Sequence, residues 1–227
     1  MPVSVVIPTL NAAGCLSPAL AALTPLAPAE IVVADGGSTD DTVATARHLG
    51  ARVVTASRGR GPQLIAGAEA ARGPWLLFLH ADTRLSPDAA TQARRFMATG
   101  SSLQQAAYFR FRLDDDRPPA RRLERWVARR CRLLALPYGD QGLLLHRDLY
   151  TAAGGFRPLP LMEDVDLVRR LGRRRLLGLD AAAVTSADRW RRGGYFRRSA
   201  RNLACLTLYF LGVPPARIAR LYETRPP

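Results

Sequence analysis

The chain opens on an apolar run, Val3 to Ile7, closed by Pro8, and the pattern recurs at Glu30-Ile-Val-Val-Ala34 before the turn Asp35-Gly-Gly-Ser38. Short β-branched runs bounded by Pro, Gly, Asp and Ser predict strands. Between them Ser17-Pro18 offers an N-cap and a first-turn proline for a short helix. Thr39 or Asp40 can cap a second helix through Leu49, stopped by Gly50. Arg52 to Thr55 predicts a third strand, Pro62 to Arg72 a third helix and Trp75 to Leu79 a fourth strand. Strands alternating with short helices at this spacing imply a mostly parallel, Rossmann-like α/β sheet with helices on both faces and right-handed crossovers.

The pattern changes near residue 100. Ser86-Pro-Asp88 opens a helix toward Thr99, and Ala107 to Leu113 alternates with Arg110 and Arg112 on one face. That period of two predicts a strand at or near a sheet edge. Beyond the loop Asp114 to Pro119, an Arg-rich helix from roughly 120 to 135 carries Leu123, Trp126, Val127, Leu133 and Leu134 at loosely helical spacing. Leu143 to Leu145 predicts another strand, and Glu163-Asp164 opens another helix. No internal repeat or linker interrupts the chain. Residues 1–227 are expected to form a single domain: a nucleotide-binding half to about residue 100, then a more variable half from about 101 that completes the same domain and ends in a C-terminal helix.

Charge narrows the partners. All 33 basic residues are arginine, against 19 acidic ones, for a formal net charge of +14. Such a surface favours nucleotide diphosphates, acidic headgroups or nucleic acid without choosing among them. Cys15, Cys131 and Cys205 are odd in number and far apart, which suggests neither a zinc site nor a disulfide framework. The amino terminus lacks a charged leader followed by a long apolar stretch, and Leu203 to Val213 is about half the roughly 20 residues a membrane span needs. A cytoplasmic protein is expected. From about Arg197 to Val213 arginines flank Leu203, Leu206, Leu208, Tyr209, Phe210 and Leu211. Core packing, a homodimer contact and a peripheral helix at the inner face of the membrane all remain open there.

The candidate chemistry follows the strands. In open α/β sheets the ligand crevice lies beyond the carboxyl ends of the strands. The fourth strand ends in His80-Ala81-Asp82, where a divalent metal holding a diphosphate would sit. Asp35 follows the second strand and can accept hydrogen bonds from a base or ribose edge, while Pro8, Thr9 and Asn11 follow the first. Arg58-Gly-Arg60-Gly-Pro-Gln63 offers guanidinium forks suited to phosphate. It is not a dinucleotide fingerprint, because position 64 is leucine, and a Walker A loop needs a lysine that the chain lacks. Each of these turns also reads as plain turn chemistry. Glu163 and Asp164 either complement a helix dipole or supply a general base. Arg189-Trp190-Arg191-Arg192 joins an aromatic plane to cations, suited to a sugar and a diphosphate or to an exposed basic face.

Taken in order, Val5-Val-Ile-Pro-Thr-Leu-Asn11, Val33-Ala-Asp35-Gly-Gly-Ser-Thr-Asp-Asp-Thr42, His80-Ala-Asp82, Glu163-Asp164 and Arg189-Trp190 resemble the inverting glycosyltransferases of family 2, with the GT-A fold. The likeness covers most of the chain. The short length, Arg58 to Gln63, Leu79 to Thr83 and Gly139-Asp-Gln-Gly142 are similar to a compact bacterial branch often named arsenosugar-biosynthesis or radical-SAM-associated glycosyltransferases. The resemblance implies transfer of a sugar from a nucleoside-diphosphate sugar to an acceptor hydroxyl, with inversion at the anomeric carbon. Asp82 would then be the second aspartate of the Asp-x-Asp motif, holding Mn2+ or Mg2+, and Asp164 the catalytic base. Pro8, Thr9, Asn11, Asp35, Gly37, Arg58, Arg60, Gln63, His80 and Ala81 would bind the nucleotide. Asp140, Gln141, Glu163 and Trp190 would serve the acceptor, and Arg189, Arg191 and Arg192 the diphosphate.

Three positions depart from the family's pattern. His80 replaces the first aspartate of Asp-x-Asp, and Ile65 is apolar where close relatives are expected to be polar. Ser186 stands at the glutamine of Gln-x-x-Arg-Trp, which argues against processive polymer synthesis. Two other classes compete. An S-adenosylmethionine-dependent methyltransferase would require a glycine-rich turn where Pro8 to Gly14 stands. A basic nucleic-acid or membrane-surface binder would lose affinity steeply with salt and survive loss of Asp82 and Asp164; within the resemblance no nucleic-acid partner is expected.

Overall fold

In the computed structural model, which describes residues 1–223, the first half alternates as the apolar pattern requires: β1 (Val3–Thr9), α1 (Ala13–Ala21), β2 (Glu30–Asp35), α2 (Thr42–His48), β3 (Arg52–Thr55), α3 (Arg60–Ala70) and β4 (Trp75–Phe78). The rest of the chain adds β5 (Thr83–Leu85), α4 (Ala89–Met97), β6 (Ala106–Leu113), α5 (Pro118–Leu134), β7 (Leu143–His146), α6 (Arg147–Ala152), α7 (Glu163–Leu171), β8 (Leu176–Thr185), α8 (Asp188–Gly193), α9 (Tyr195–Phe210) and α10 (Pro215–Glu223). All eight strands join one sheet in the order β3-β2-β1-β4-β7-β6-β8-β5. β1 to β4 pair in parallel, and so do β6 and β8, whereas β7 runs antiparallel to both its neighbours and β5 antiparallel to β8.

The continuous apolar runs exist because helices cover both faces of the sheet. Val5, Ile7, Val33 and Leu77 pack with Leu16 and Leu20 of α1 and with Phe96 and Met97 of α4. Their sequence neighbours Val6, Val32, Leu76 and Phe78 pack on the opposite face with Leu64 and Ala68 of α3 and Leu167 and Leu171 of α7. Each such side chain, fully buried, contributes roughly 1.5–3 kcal/mol. The α3 helix sits close enough to β1 that a Cβ on Gly67 would lie 2.3 Å from Val6 Cγ1. Only glycine fits there. Among the described residues no helix is long and apolar enough to cross a membrane.

Three expectations change. Helix α1 starts at Ala13 and carries Pro18 in its interior, so Ser17 is not its cap. Its first amides are capped from across the sequence: Thr42 Oγ1 accepts from Ala12 N at 2.7 Å and Asp40 Oδ2 from Ala13 N at 3.1 Å. No local cap signal was needed. Strand β6 is interior, between β7 and β8, not an edge. Helix α5 packs its buried stripe on Phe111 and Leu113, while Arg110 is exposed and Arg112 meets Glu124 at 3.3 Å, so the alternation reported a half-polar face and not an edge. On α5 the buried stripe is Ala120, Val127 and Cys131, while Trp126, Leu133 and Leu134 are exposed. Spacings of seven and four residues keep that stripe on one side of a helix, and the larger apolar residues fall off it.

Candidate active site

The sheet topology gathers the polar residues at one end. The chain leaves β4 at Phe78 and re-enters the sheet at β5, on the far side of β7, β6 and β8, so residues 79–82 cross the strand ends. Ser186 N donates to Asp82 O at 3.2 Å, and the Thr83 and Thr185 hydroxyls lie 3.0 Å apart, which pins Asp82 to the end of β8. Because β7 is antiparallel to β4, its beginning lies at the end where β4 finishes. The preceding turn Gly139–Gln141 therefore brings Asp140 into the same space. Asp164, in the first turn of α7, accepts a hydrogen bond from Gly139 N at 2.7 Å through Oδ2 and one from Val165 N at 2.7 Å through Oδ1. Together these elements wall a cleft of about 870 Å3, within the usual range for small-molecule sites.

Several polar groups in this cleft lack ordinary satisfaction. Asp140 Oδ1 is buried without a hydrogen-bond partner. Burial pushes its carboxyl up to about 6, with Asp164 and Asp82 adding to the effect and Arg130 opposing it. Glu163 has a side chain 1% exposed, and its Oε1 also lacks a hydrogen bond; Arg60 Nε stands 3.6 Å away, an ion pair too long to be a good one. Burial, reinforced by Asp164, raises Glu163 to about 7 against the pull of Arg60. The His80 imidazole is pushed down to about 3, by burial and then by Arg60, with Nη1 of that arginine 3.4 Å from Nε2. It is therefore neutral at physiological pH and brings no charge to the place of the missing aspartate. A Cβ on Gly139 would stand 2.6 Å from His80 Nε2, so glycine permits that close approach. Met162, at the N-terminal boundary of α7, has φ +66°, a left-handed conformation costly for a bulky residue, directly before Glu163 and Asp164.

The glycosyl transferase family 2 profile matches residues 4–159. The chain belongs to this family. PGL/p-HBAD biosynthesis glycosyltransferases of Mycobacterium bovis and Mycobacterium tuberculosis are 38% identical over 91 residues, a match covering 36% of this chain and 36% of each relative. The chain thus spans about a third of the length of these curated relatives. Glucosyl-3-phosphoglycerate synthase from M. tuberculosis, crystallised with Mn2+ and uridine-diphosphate-glucose, superposes with a TM-score of 0.65 at 23% identity, covering 94% of this chain and 80% of that one. The same enzyme with phosphoglyceric acid gives 0.63 at 24% identity, covering 94% and 81%. These solved structures share the fold, a GT-A arrangement, and family membership displaces the methyltransferase alternative.

Within this family 2 chain most of the expected site residues do meet. Pro8, Thr9, Asn11, Arg58, Arg60, Gln63, His80, Ala81, Asp82, Asp140, Glu163, Asp164, Arg189 and Trp190 all line the cleft. Asp35, Gly37, Gln141, Arg191 and Arg192 are not in its wall. Asp35 is buried; burial alone would raise its carboxyl, but hydrogen bonds from Ser38, Thr9 and Gly37 outweigh this and hold it below the usual range. Gln141 is turned inward, donating to Phe109 O at 3.1 Å and accepting from Arg130 Nη2 at 3.1 Å, so the expected acceptor contact gives way to an internal one. Arg191 is engaged by Asp114, Asp115 and Asp188, away from the cleft, and Arg192 lies exposed on α8. Even Gln63, at the wall, has its amide committed to Thr9 O and Ala34 O. The sequence reading missed Tyr138, Arg198, Asn202 and Tyr222, all in the wall. The last three come from α9 and α10, where amphipathic helices give no motif.

Proposed function

We propose that the chain is an inverting glycosyltransferase that moves a sugar from a nucleoside-diphosphate sugar to an acceptor hydroxyl. The observation that carries this reading is the convergence of Asp82, Asp140 and Asp164, from three separate elements, on one cleft. Asp164 is the base. Its two backbone hydrogen bonds fix the carboxylate orientation while leaving lone pairs free to take the acceptor proton. The acceptor oxygen bonds to the anomeric carbon as the bond from that carbon to the diphosphate oxygen breaks on the opposite face, and the configuration inverts. Arg58, Arg60 and Arg189 flank the diphosphate, with Pro8, Thr9 and Asn11 along the nucleoside and Asp35 holding Thr9 from behind at 3.0 Å.

The donor set suits a divalent ion shared with substrate. Among the described residues no group of three or more His, Cys, Asp or Glu could hold a metal alone. Mg2+ is commonly bound by one or two carboxylates together with substrate phosphates. Asp82 would hold Mn2+ or Mg2+ in that manner, and Asp140, expected on the acceptor side, leaves an unpartnered Oδ1 in the same cleft as a second donor. When bound, the ion supplies positive charge to the departing diphosphate. The solved relatives crystallised with Mn2+ and uridine-diphosphate-glucose support the choice of ligand class.

Thermal shift with uridine or guanosine diphosphate, with and without Mn2+, tests this. Saturating nucleotide at about 100 times its Kd should add roughly 2.7 kcal/mol, several degrees of melting temperature, only when metal is present. Asp82→Ala should abolish the gain. Equal stabilisation in the variant, or none with any nucleoside diphosphate, would overturn the proposal.

A further inference from the structure

Helix α9 inverts the usual arrangement of a surface helix, which gives water its charged face. Its Arg198 and Arg201 turn inward, their guanidinium carbons 5.3 Å from the Trp190 ring centroid and 4.5 Å from that of Tyr222. Phe196, Ala200, Leu203, Thr207 and Phe210 lie outside, all exposed. Steps of four and three residues set these five on one stripe of a helix, and Leu211 continues it. Phe196 is 85% and Leu211 75% exposed, while within α9 only Cys205 and Leu206 are buried. A second helix lies alongside. Tyr195 OH, at the start of α9, donates to Asp115 Oδ2 at 2.6 Å just before α5, and Leu206 shares a buried cluster with Leu136 just beyond the other end of α5. The two helices therefore run side by side in the same direction, and their outer faces adjoin. On α5 that face mixes Trp126, Leu133 and Leu134 with Arg122, Arg125, Arg129 and Arg132, all exposed. The one acidic residue of α5, Glu124, meets Arg112 and Arg121, and the sequence of α9 contains none.

We propose that this two-helix face docks on a lipid bilayer that carries anionic headgroups, with the apolar stripe of α9 entering the acyl boundary and the α5 arginines meeting the headgroups. Composition chooses the occupant. An apolar stripe flanked by arginines suits the boundary between headgroups and acyl chains, where each kind of side chain finds its own partner. A nucleic acid would engage the arginines through its phosphates but leave Leu133, Leu134, Leu203 and Leu211 without apolar partners. Pairing the same face of two copies of the chain would crowd the arginines of both. Docking of this kind is independent of the chemistry in the cleft. It would nonetheless hold the cleft close to the lipid, because the inner side of α9 supplies Arg198, Asn202 and Cys205 to the cleft wall and a helix is only about 10 Å across.

Flotation of the full chain with vesicles of phosphatidylglycerol in phosphatidylcholine, against phosphatidylcholine alone, is the test. The anionic vesicles should bind at least about tenfold more tightly. Trp126 is the exposed one of the chain's three tryptophans, Trp75 and Trp190 being buried, so emission should shift to the blue on binding. Trp126→Phe should remove that shift while the vesicles still bind. Part of the binding should persist in about 1 M salt, where charges are screened beyond about 3 Å, and Phe196→Gln with Leu203→Gln should remove what persists. Arg125→Gln with Arg129→Gln should weaken binding at least about tenfold at low salt. All four positions are exposed, so both paired variants should melt with the parent, which separates lost docking from lost folding. No binding to either vesicle overturns the proposal, and so does equal binding to both. Vesicle binding that both paired variants leave intact reflects the net charge of +14 and not this face, and also overturns it. Without vesicle binding, dimerisation abolished by Phe196→Gln with Leu203→Gln gives the face to a second copy, and binding of duplex DNA abolished by the arginine pair alone gives it to nucleic acid.

Discussion

The two halves of the cleft treat their polar side chains differently. On the β1–β3 side, Thr9, Asp35 and Gln63 are buried, and their hydrogen bonds go to one another or to the adjacent backbone. Beyond β6 the pattern reverses: Asp140 Oδ1, Glu163 Oε1 and Arg201 Nε are the buried side-chain polar atoms left without partners among the described residues. An unmade buried hydrogen bond is unfavourable by about 1–3 kcal/mol, which singles out Asp140 and Glu163, both in the cleft wall, as groups open to a ligand. The first half thus reads as a pre-built floor under the donor and the second as the side that leaves polar atoms open. Polar character alone does not tell the two apart; the fate of each lone pair does.

The largest expected effect sharpens the contrast from the second half. Asp164→Asn keeps the shape but removes the proton acceptor, and its single amide oxygen can accept from only one of Gly139 N and Val165 N. Nucleoside-diphosphate release in the presence of acceptor should fall by about 100- to 10,000-fold, while the loss of one hydrogen bond lowers stability by only about 1–3 kcal/mol. Turnover within tenfold of the parent would transfer the base to another carboxylate and dissolve the distinction. Next in size is Gln63→Ala on the floor. It strips donors from two buried carbonyls, Thr9 O and Ala34 O, and should destabilise the fold by roughly 2–4 kcal/mol in urea titration. A change below about 1 kcal/mol would mean that water or a shifted backbone replaces the glutamine, and that the floor is less rigid than it looks.

The same contrast explains what the sequence made legible. Strands buried on both faces announce themselves as continuous apolar runs, so β1, β2, β3 and β4 were readable within a residue or two, and so was the placement of Asp82 beyond β4. Asp140 was a candidate only through the family resemblance, and the antiparallel pairing of β7 with β4 explains why the beginning of a strand reaches the crevice. Direction was harder. Gln141 and Arg191 sit one residue from groups that line the cleft, yet point into the protein or toward Asp114 and Asp115, because neighbours in a turn or short helix diverge. Arg198 and Tyr222 were invisible for a different reason. Their place in the wall comes from α9 and α10 folding back across the cleft, a long-range packing fact that no local spacing encodes.

The smallest effect concerns Glu163, and it tests whether the unsatisfied second half costs stability. Its carboxyl is raised from 4.5 to about 7 by burial, so between those pH values the folded chain holds a proton that the unfolded chain has released. Stability contributed by the protonated form is therefore complete below about pH 4.5 and drains away as pH rises toward 7, the reverse of the usual carboxylate. Glu163→Gln removes the charge and keeps the volume. It should flatten the stability profile between pH 5 and 8 and raise stability at pH 8 by about 1–3 kcal/mol, read from urea denaturation. Parallel curves for parent and variant would show that Arg60 at 3.6 Å fully compensates the ionised carboxylate, making Glu163 part of the floor. A stabler variant that transfers sugar poorly would instead show the trade-off expected of a group held unsatisfied for its substrate.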